Sequence, residues 1–265
     1  MDLLLHTICL EPARWTPQRV SQSLPDLIPG IAAAGFTQVE IYEPHLADPG
    51  QWEETKASLE SHGITPLILS SYADFGPNGL SDAAAAEAFI RIGELVRFFD
   101  LRAVRLFPAP RVDPDDATSI AAFVERTRDI AARMPATQFL LETHDGSIAD
   151  HPQRIVEVVK SIALPNVGLL FQPTVFDDAR AQAQFDLQRP FIRHVHLQNR
   201  KPVEGFELLE KGTVRWERIL RNLLPGTAAS LEFVPRGICP EADFQLAAVL
   251  KEAESERKWV ESILV

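Results

Sequence analysis

Four polar residues close four apolar runs in the second half of the chain. They are Glu142 in Phe139-Leu-Leu-Glu-Thr-His, Gln172 in Val167-Gly-Leu-Leu-Phe-Gln-Pro, His196 in His194-Val-His-Leu-Gln, and Glu232 in Ala228-Ala-Ser-Leu-Glu-Phe. They are spaced 30, 24 and 36 residues apart. Each interval fits one strand, one helix and two loops, a unit of roughly 30 residues. In a parallel α/β barrel the C-terminal ends of the strands converge on one mouth, where active sites sit. Two carboxylates, an amide oxygen and an imidazole at such a mouth can together hold a divalent cation. Gln172 offers a carbonyl oxygen without charge, which makes it the weakest of the four donors.

The elements that must position these residues are legible as apolar or β-branched runs. Eight strands are expected: Leu3–Leu10, Gln38–Tyr42, Thr65–Ser70, Ala103–Phe107, Gln138–Glu142, Val167–Phe171, His194–Leu197 and Ser230–Phe233. Between them helical periodicity predicts Pro17–Ala34, Gly50–His62, Asp82–Asp100, Pro114–Met134, Pro152–Ile162, Asp177–Gln184, Arg215–Leu223 and Glu241–Leu264. Ser81 precedes an alanine-rich run as an N-cap. Asp113-Pro114 and His151-Pro152 put proline at helix starts, where its missing N–H costs little. Gly35 and Gly63 each follow a helix and precede a strand, the place of a left-handed C-cap. Near-continuously apolar strands alternating with helices indicate a parallel sheet covered on both sides. Eight units in one run favour a single (β/α)8 barrel over residues 1–265. The open doubly wound alternative usually has a glycine-rich first turn, and Glu11-Pro-Ala-Arg-Trp-Thr-Pro contains no glycine. The longest segment without a clear element is Asn199–Thr213, which holds Arg200, Lys201, Glu207, Glu210, Lys211 and Gly212.

Composition narrows the function classes. The 265 residues suit one α/β barrel of about 250 residues. The net charge of −11 opposes nucleic-acid and anionic-membrane surfaces, which require clustered Lys and Arg. No apolar run approaches the roughly 20 residues of a membrane span. Met1-Asp-Leu-Leu-Leu-His lacks the basic region that opens a signal peptide. Two cysteines, Cys9 and Cys239, make no disulfide framework. The expectation is a cytoplasmic enzyme, with apolar helix surface that would support a homo-oligomer.

Several motifs carry a resemblance. They are Gly35-Phe-Thr-Gln-Val-Glu-Ile, Leu141-Glu-Thr-His-Asp-Gly, Pro165-Asn-Val-Gly-Leu-Leu-Phe, His194-Val-His-Leu, Gly212-Thr-Val-Arg-Trp-Glu-Arg-Ile and Leu231-Glu. In this order and spacing the chain resembles the xylose-isomerase-like TIM barrels, the superfamily of sugar epimerases, inosose dehydratases, dehydroshikimate dehydratases and endonuclease IV. The resemblance implies that Glu142, Gln172, His196 and Glu232 hold one divalent metal: Mn²⁺, Mg²⁺, Co²⁺ or Zn²⁺. The family usually has Asp at the strand-six position and His three residues later. Here Gln172 and Val175 stand in those places, so the ligand set carries −2 rather than −3. The family's Lys-Asp after strand seven is likewise replaced by Gln198-Asn199.

The implied chemistry rests on two glutamates. Flanking a bound sugar, keto-sugar or polyol, Glu142 and Glu232 would remove and return a proton beside a carbonyl. Acid–base help of this kind contributes roughly 10²–10⁴ in rate. Epimerisation, isomerisation and dehydration all use these groups, and the residues do not separate them. His144, Gln198, Arg200, Glu43, Arg105 and His6 are candidate substrate contacts. Two alternatives stand beside this reading. Glu142 pairs structurally with a neighbouring Arg such as Arg105, or the protein is a metal-free, non-catalytic or regulatory sugar-binding barrel in which Gln172 marks the lost metal. His194 shares a face with His196 and is expected as a core histidine. A repair endonuclease with a three-metal site needs many His and acidic ligands, and the chain has only seven His.

Overall fold

A computed structural model of the chain describes every residue except 15–19, 110–112, 114, 115, 204 and 265. Among the described residues the strands are β1 (Leu3–His6), β2 (Gln38–Tyr42), β3 (Thr65–Ser70), β4 (Ala103–Leu106), β5 (Gln138–Glu142), β6 (Val167–Phe171), β7 (Ile192–Leu197), β8 (Asn199–Lys201), β9 (Gly205–Glu207) and β10 (Ala228–Leu231). The helices are α1 (Leu24–Ala33), α2 (Trp52–Ser61), α3 (Asp82–Phe99), α4 (Ala117–Arg133), α5 (Pro152–Ile162), α6 (Asp178–Gln188), α7 (Trp216–Arg221) and α8 (Leu246–Leu264). Eight strands close a barrel in the order β1-β10-β7-β6-β5-β4-β3-β2, while β8 and β9 form a separate two-stranded sheet. This is the (β/α)8 architecture expected from the alternation of apolar runs and helical segments. No helix among the described residues is long and apolar enough to cross a membrane.

The local chemistry explains the elements. In α5, Pro152 occupies the first turn, and Ile155, Val156, Val158, Val159 and Ile162 are buried. Their spacing places them on one helical face. Burying each such side chain stabilises the fold by roughly 1.5–3 kcal/mol. Ser81 caps α3 through the backbone N–H of Ala84. Gly35 and Gly63 have φ of 82° and 64°, as left-handed caps require.

Boundaries differ where short-range physics changes. β1 ends at His6 because Thr7–Leu10 winds into a 3-10 turn. Pro114 lies outside the described residues, and α4 starts at Ala117 with Asp116 accepting from the N–H groups of Thr118 and Ser119. The expected start of the first helix at Pro17 also lies outside the described residues; α1 begins at Leu24. The last helix begins at Leu246 rather than Glu241, since Glu241–Asp243 forms its own 3-10 turn. β10 ends at Leu231, leaving Glu232 one residue beyond the strand.

Residue contacts fall into two compact units. One comprises Met1–Leu67, Phe176–Asp178 and His196–Val265; the other comprises Ile68–Val175 and Ala179–Val195. In the first, β1 pairs in parallel with β10 and β2, aligning His6 with Glu40 and Leu4 with Ser230. In the second, β3 to β7 pair in parallel in sequence order, with Glu142 aligned to Leu170.

Candidate active site

The first unit contains a chain of buried polar groups. Glu40 sits in the middle of β2 and is fully buried. Its Oε2 accepts from Ser230 Oγ at 2.6 Å and lies 3.0 Å from His196 Nε2. Its Oε1 lies 3.5 Å from His6 Nε2. His6 Nδ1 accepts the backbone N–H of Ile8 at 3.1 Å, so a neutral His6 carries its proton on Nε2, toward Glu40. An ionised carboxylate is acceptor-only, so His196 Nε2 must donate to Glu40 for that contact to be a hydrogen bond. The two imidazoles also touch, with ring centroids 5.4 Å apart.

The other nitrogen of His196 faces a second carboxylate. Nδ1 lies 3.4 Å from Glu232 Oε1. With the proton of a neutral ring on Nε2, both facing atoms present lone pairs, an arrangement that fits a shared cation. Glu232 Oε2 accepts from Gln198 Nε2 at 2.7 Å. Gln198 Oε1 accepts from Arg200 Nη2 at 3.1 Å and from its Nε at 3.3 Å. The Arg200 guanidinium lies over Phe176 and Phe206, 4.7 and 4.3 Å from their ring centroids. Trp216 Nε1 donates to the backbone carbonyl of Gln198 at 2.9 Å, fixing the start of this segment. One continuous relay thus runs from Arg200 through Gln198, Glu232, His196 and Glu40 to His6.

The segment after β7, expected to lack a clear element, contains the β8–β9 hairpin. Asn199 holds it down. Its Nδ2 donates to the carbonyls of Leu209 and Val214 at 2.7 and 2.8 Å, and its Oδ1 accepts from the N–H of Val214 at 3.1 Å. A Cβ on Gly212 would stand 2.1 Å from Asn199 Cγ, so only glycine permits this approach.

The second unit builds a different environment around Glu142, which ends β5 and is 1% exposed. Arg105 Nε lies 3.1 Å from Glu142 Oε2. Arg105 points into the protein, donates to the carbonyl of Ser71 at 2.9 Å, and lies under Tyr72 and Phe107 at 4.5 and 4.1 Å. The pairing anticipated as a structural alternative for Glu142 therefore exists. His144 is half-buried, set edge-on to Phe107 at 5.3 Å, with Nδ1 on the carbonyl of Asp145. The main chain of Gln172 is held firmly: its N–H donates to Thr143 Oγ1 at 2.7 Å, and its carbonyl accepts from Thr143 and from Gln184 Nε2. Its side chain is buried. His194 is buried at 1% exposure.

His6, Gln198, Arg200, His196 and Glu232 lie along one chain of polar contacts that runs through Glu40. Arg105 and Glu142 form an ion pair beside the aromatic neighbours of His144. Glu43 is half-buried on the 3-10 turn Glu43–Leu46. Sequence reasoning missed Glu40 and Ser230. The available signal was a carboxylate in the middle of Gln38-Val-Glu-Ile-Tyr, where alternation allows a buried polar group only if it has partners.

Similarity to known proteins follows the same outline. The profile of the xylose isomerase-like TIM barrel family matches residues 30–260. The chain belongs to the xylose isomerase-like TIM barrel family. No curated protein sequence matches it closely. Among solved structures, the probable 3-DHS dehydratase AsbF from Bacillus anthracis, involved in petrobactin synthesis, is similar with a TM-score of 0.76 and 20% identity, over 95% of this chain and 98% of that one. A xylose isomerase-like TIM barrel protein from Mycobacterium smegmatis, solved with magnesium, has a TM-score of 0.72 and 14% identity, over 100% of this chain and 98% of that one. D-psicose 3-epimerase from Clostridium cellulolyticum H10, solved with D-tagatose, has a TM-score of 0.70 and 17% identity, over 100% of this chain and 99% of that one. At these identities the likeness shows the fold.

Proposed function

We propose that the protein is an enzyme that isomerises, epimerises or dehydrates a sugar, keto-sugar or polyol. Glu142 and Glu232 act as acid and base, and Glu142, Gln172, His196 and Glu232 hold a divalent cation: Mn²⁺, Mg²⁺, Co²⁺ or Zn²⁺. The observation that carries this reading is the approach of His196 Nδ1 to Glu232 Oε1 at 3.4 Å while His196 Nε2 is engaged by Glu40. With the ring neutral and its proton on Nε2, the two facing lone pairs repel unless a cation lies between them. An imidazole nitrogen with carboxylate and amide oxygens suits Mn²⁺, Co²⁺ or Zn²⁺ and accommodates Mg²⁺. A similar fold with bound magnesium supports the same choice.

When bound, such a cation supplies Lewis-acid polarisation of a substrate oxygen. The chain supplies the rest. Glu232, held at Oε2 by Gln198, is the second acid–base group. Glu142, buried beside the Arg105 guanidinium, serves as the base. Arg200, Gln198 and His144 bind and orient hydroxyl or carboxylate groups, with Arg105, His6 and Glu43 as further candidate contacts. Phe176 and Phe206 hold Arg200 flat, limiting the rotamers it must lose on binding.

A second reading, a metal-free sugar-binding barrel, is favoured by Gln172 alone, the position where the family's usual Asp is replaced. One experiment separates the two. Purified protein is analysed for bound metal, titrated with Mn²⁺, Mg²⁺, Co²⁺ and Zn²⁺, and then screened against ketoses, inososes and 3-keto sugars. Cation binding with turnover of one substrate class supports the enzyme; failure to bind all four ions defeats the metal-dependent reading.

A further inference from the structure

We propose that Glu40 is a positioning residue that fixes the tautomer of His196, holding Nδ1 unprotonated and aimed at Glu232. The inference deepens the reading of the protein as a metal-assisted enzyme and rests on it for its purpose, though not for its geometry. Nothing in the ligand set itself decides which nitrogen of His196 carries the proton. In a neutral imidazole one nitrogen donates and the other accepts, and the partner of the first selects the second. Glu40 presents both carboxylate oxygens to His196 Nε2, at 3.1 and 3.0 Å, from a fully buried position. This is the carboxylate–histidine arrangement that orients metal-binding imidazoles and raises their basicity.

Glu40 is itself immobilised on its other sides. Ser230 donates to Oε2 at 2.6 Å, and His6 Nε2 approaches Oε1 at 3.5 Å. His6 cannot easily turn away, because its Nδ1 is occupied by the Ile8 N–H. The parallel register that sets His6 opposite Glu40 and brings Ser230 alongside β1 makes these contacts a property of the barrel wall rather than of a loop. These contacts also compensate the charge of Glu40, whose burial alone would be costly. A group of His6, Glu40 and His196 has ligand atoms close enough for a cation of its own. Glu40 already accepts from Ser230 and His196, and His6 Nδ1 from the Ile8 N–H, which favours a support over a second ion.

The test uses protein labelled with ¹⁵N at histidine, read by long-range ¹H–¹⁵N correlation without metal and then titrated with Zn²⁺, with Mn²⁺ affinity measured by calorimetry. In the wild type, metal-free neutral His196 is expected with its proton on Nε2, and Zn²⁺ shifts the Nδ1 resonance. Glu40→Leu removes the acceptor at similar volume. It is expected to populate the Nδ1–H form substantially and to weaken Mn²⁺ binding by roughly 10–100-fold. Glu40→Gln, which keeps one acceptor oxygen, is expected to fall between the two, and it decides the matter if Glu40→Leu does not fold. A wild-type His196 protonated on Nδ1 overturns the proposal. So does an unchanged tautomer with Mn²⁺ affinity within threefold of wild type in the folded variants. A wild type with the expected tautomer that binds no cation leaves Glu40 in its positioning role and defeats the metal-dependent function instead.

Discussion

Arg105 Nε and Glu142 Oε2 stand 3.1 Å apart, with both side chains only 1% exposed. The pair lies beneath Tyr72 and Phe107 and is anchored to the Ser71 carbonyl. Breaking a buried pair by removing one partner leaves an uncompensated charge, at a cost of roughly 3–5 kcal/mol. Arg105→Leu and Glu142→Leu are each expected to lower the midpoint of urea unfolding markedly, and the double variant is expected to recover most of the loss. Single variants as stable as wild type would show that the pair contributes nothing to the fold.

Catalysis by the two glutamates is tested with milder changes. Glu142→Gln and Glu232→Gln preserve shape and an acceptor oxygen. Each is expected to lower turnover by roughly 10²–10⁴, together with solvent-deuterium incorporation at the reacting carbon. Circular dichroism at the assay temperature checks that both remain folded. Full activity in both variants would remove the acid–base assignment.

Gln172→Asp restores the carboxylate usual for the family and takes the proposed ligand set from −2 to −3. Hard cations respond to ligand charge, so Mn²⁺ affinity by calorimetry is expected to rise roughly tenfold, about 1.4 kcal/mol. An unchanged affinity would mean that position 172 is not a ligand.

Glu256 gives a pH prediction that does not involve the proposed ligands. It is buried in α8 and accepts the Leu209 N–H at 2.9 Å. Burial pushes its carboxyl up from the ordinary 4.5 to about 7; the Leu209 N–H and Lys211 oppose this, while Glu252 and Glu210 add to it. A raised value means that the fold binds the proton more tightly than the unfolded chain does. This contribution is complete below pH 4.5 and disappears as pH rises through about 7. Its size is about 2–4 kcal/mol. Glu256→Gln is expected to raise Tm at pH 8 by several degrees and to change it little at pH 5, measured by calorimetry. Equal shifts at both pH values would disprove the linkage.

Asn199 is expected to govern the order of the segment after β7. Asn199→Ala strips partners from the Leu209 and Val214 carbonyls and the Val214 N–H. Leaving such groups buried and unpaired costs roughly 1–3 kcal/mol each. Hydrogen exchange is expected to accelerate at Val214 while Leu141 in β5 stays protected. Unaltered exchange at Val214 would show that another contact holds the segment.

The barrel was readable because its signals are local. Val167-Gly-Leu-Leu-Phe and Gln138-Phe-Leu-Leu-Glu announce strands at their observed limits, and α5 matches its expected span because Pro152 and the apolar spacing both lie within it. The β8–β9 hairpin was not readable. Its strands are three residues long and show no sustained alternation. Glu40 escaped for another reason. Its partners His196 and Ser230 lie 156 and 190 residues away in sequence, and only strand register brings them together. Arg105 and Glu142 were foreseeable as a pair because they belong to neighbouring strands of the predicted order.

The hairpin offers an experimental handle. Its tip residue Val203 is 96% exposed, while its first strand carries Arg200, stacked on Phe176 and Phe206. Lys201 and Glu207 clip the two strands together at 2.8 Å, between the tip and the relay. A fluorescent label at Val203 therefore rides on the same short ribbon as Arg200 without touching the relay. Ligand-induced movement of that ribbon becomes an optical signal that requires no knowledge of the product, so unknown substrates can be sought by binding before any reaction is assayed.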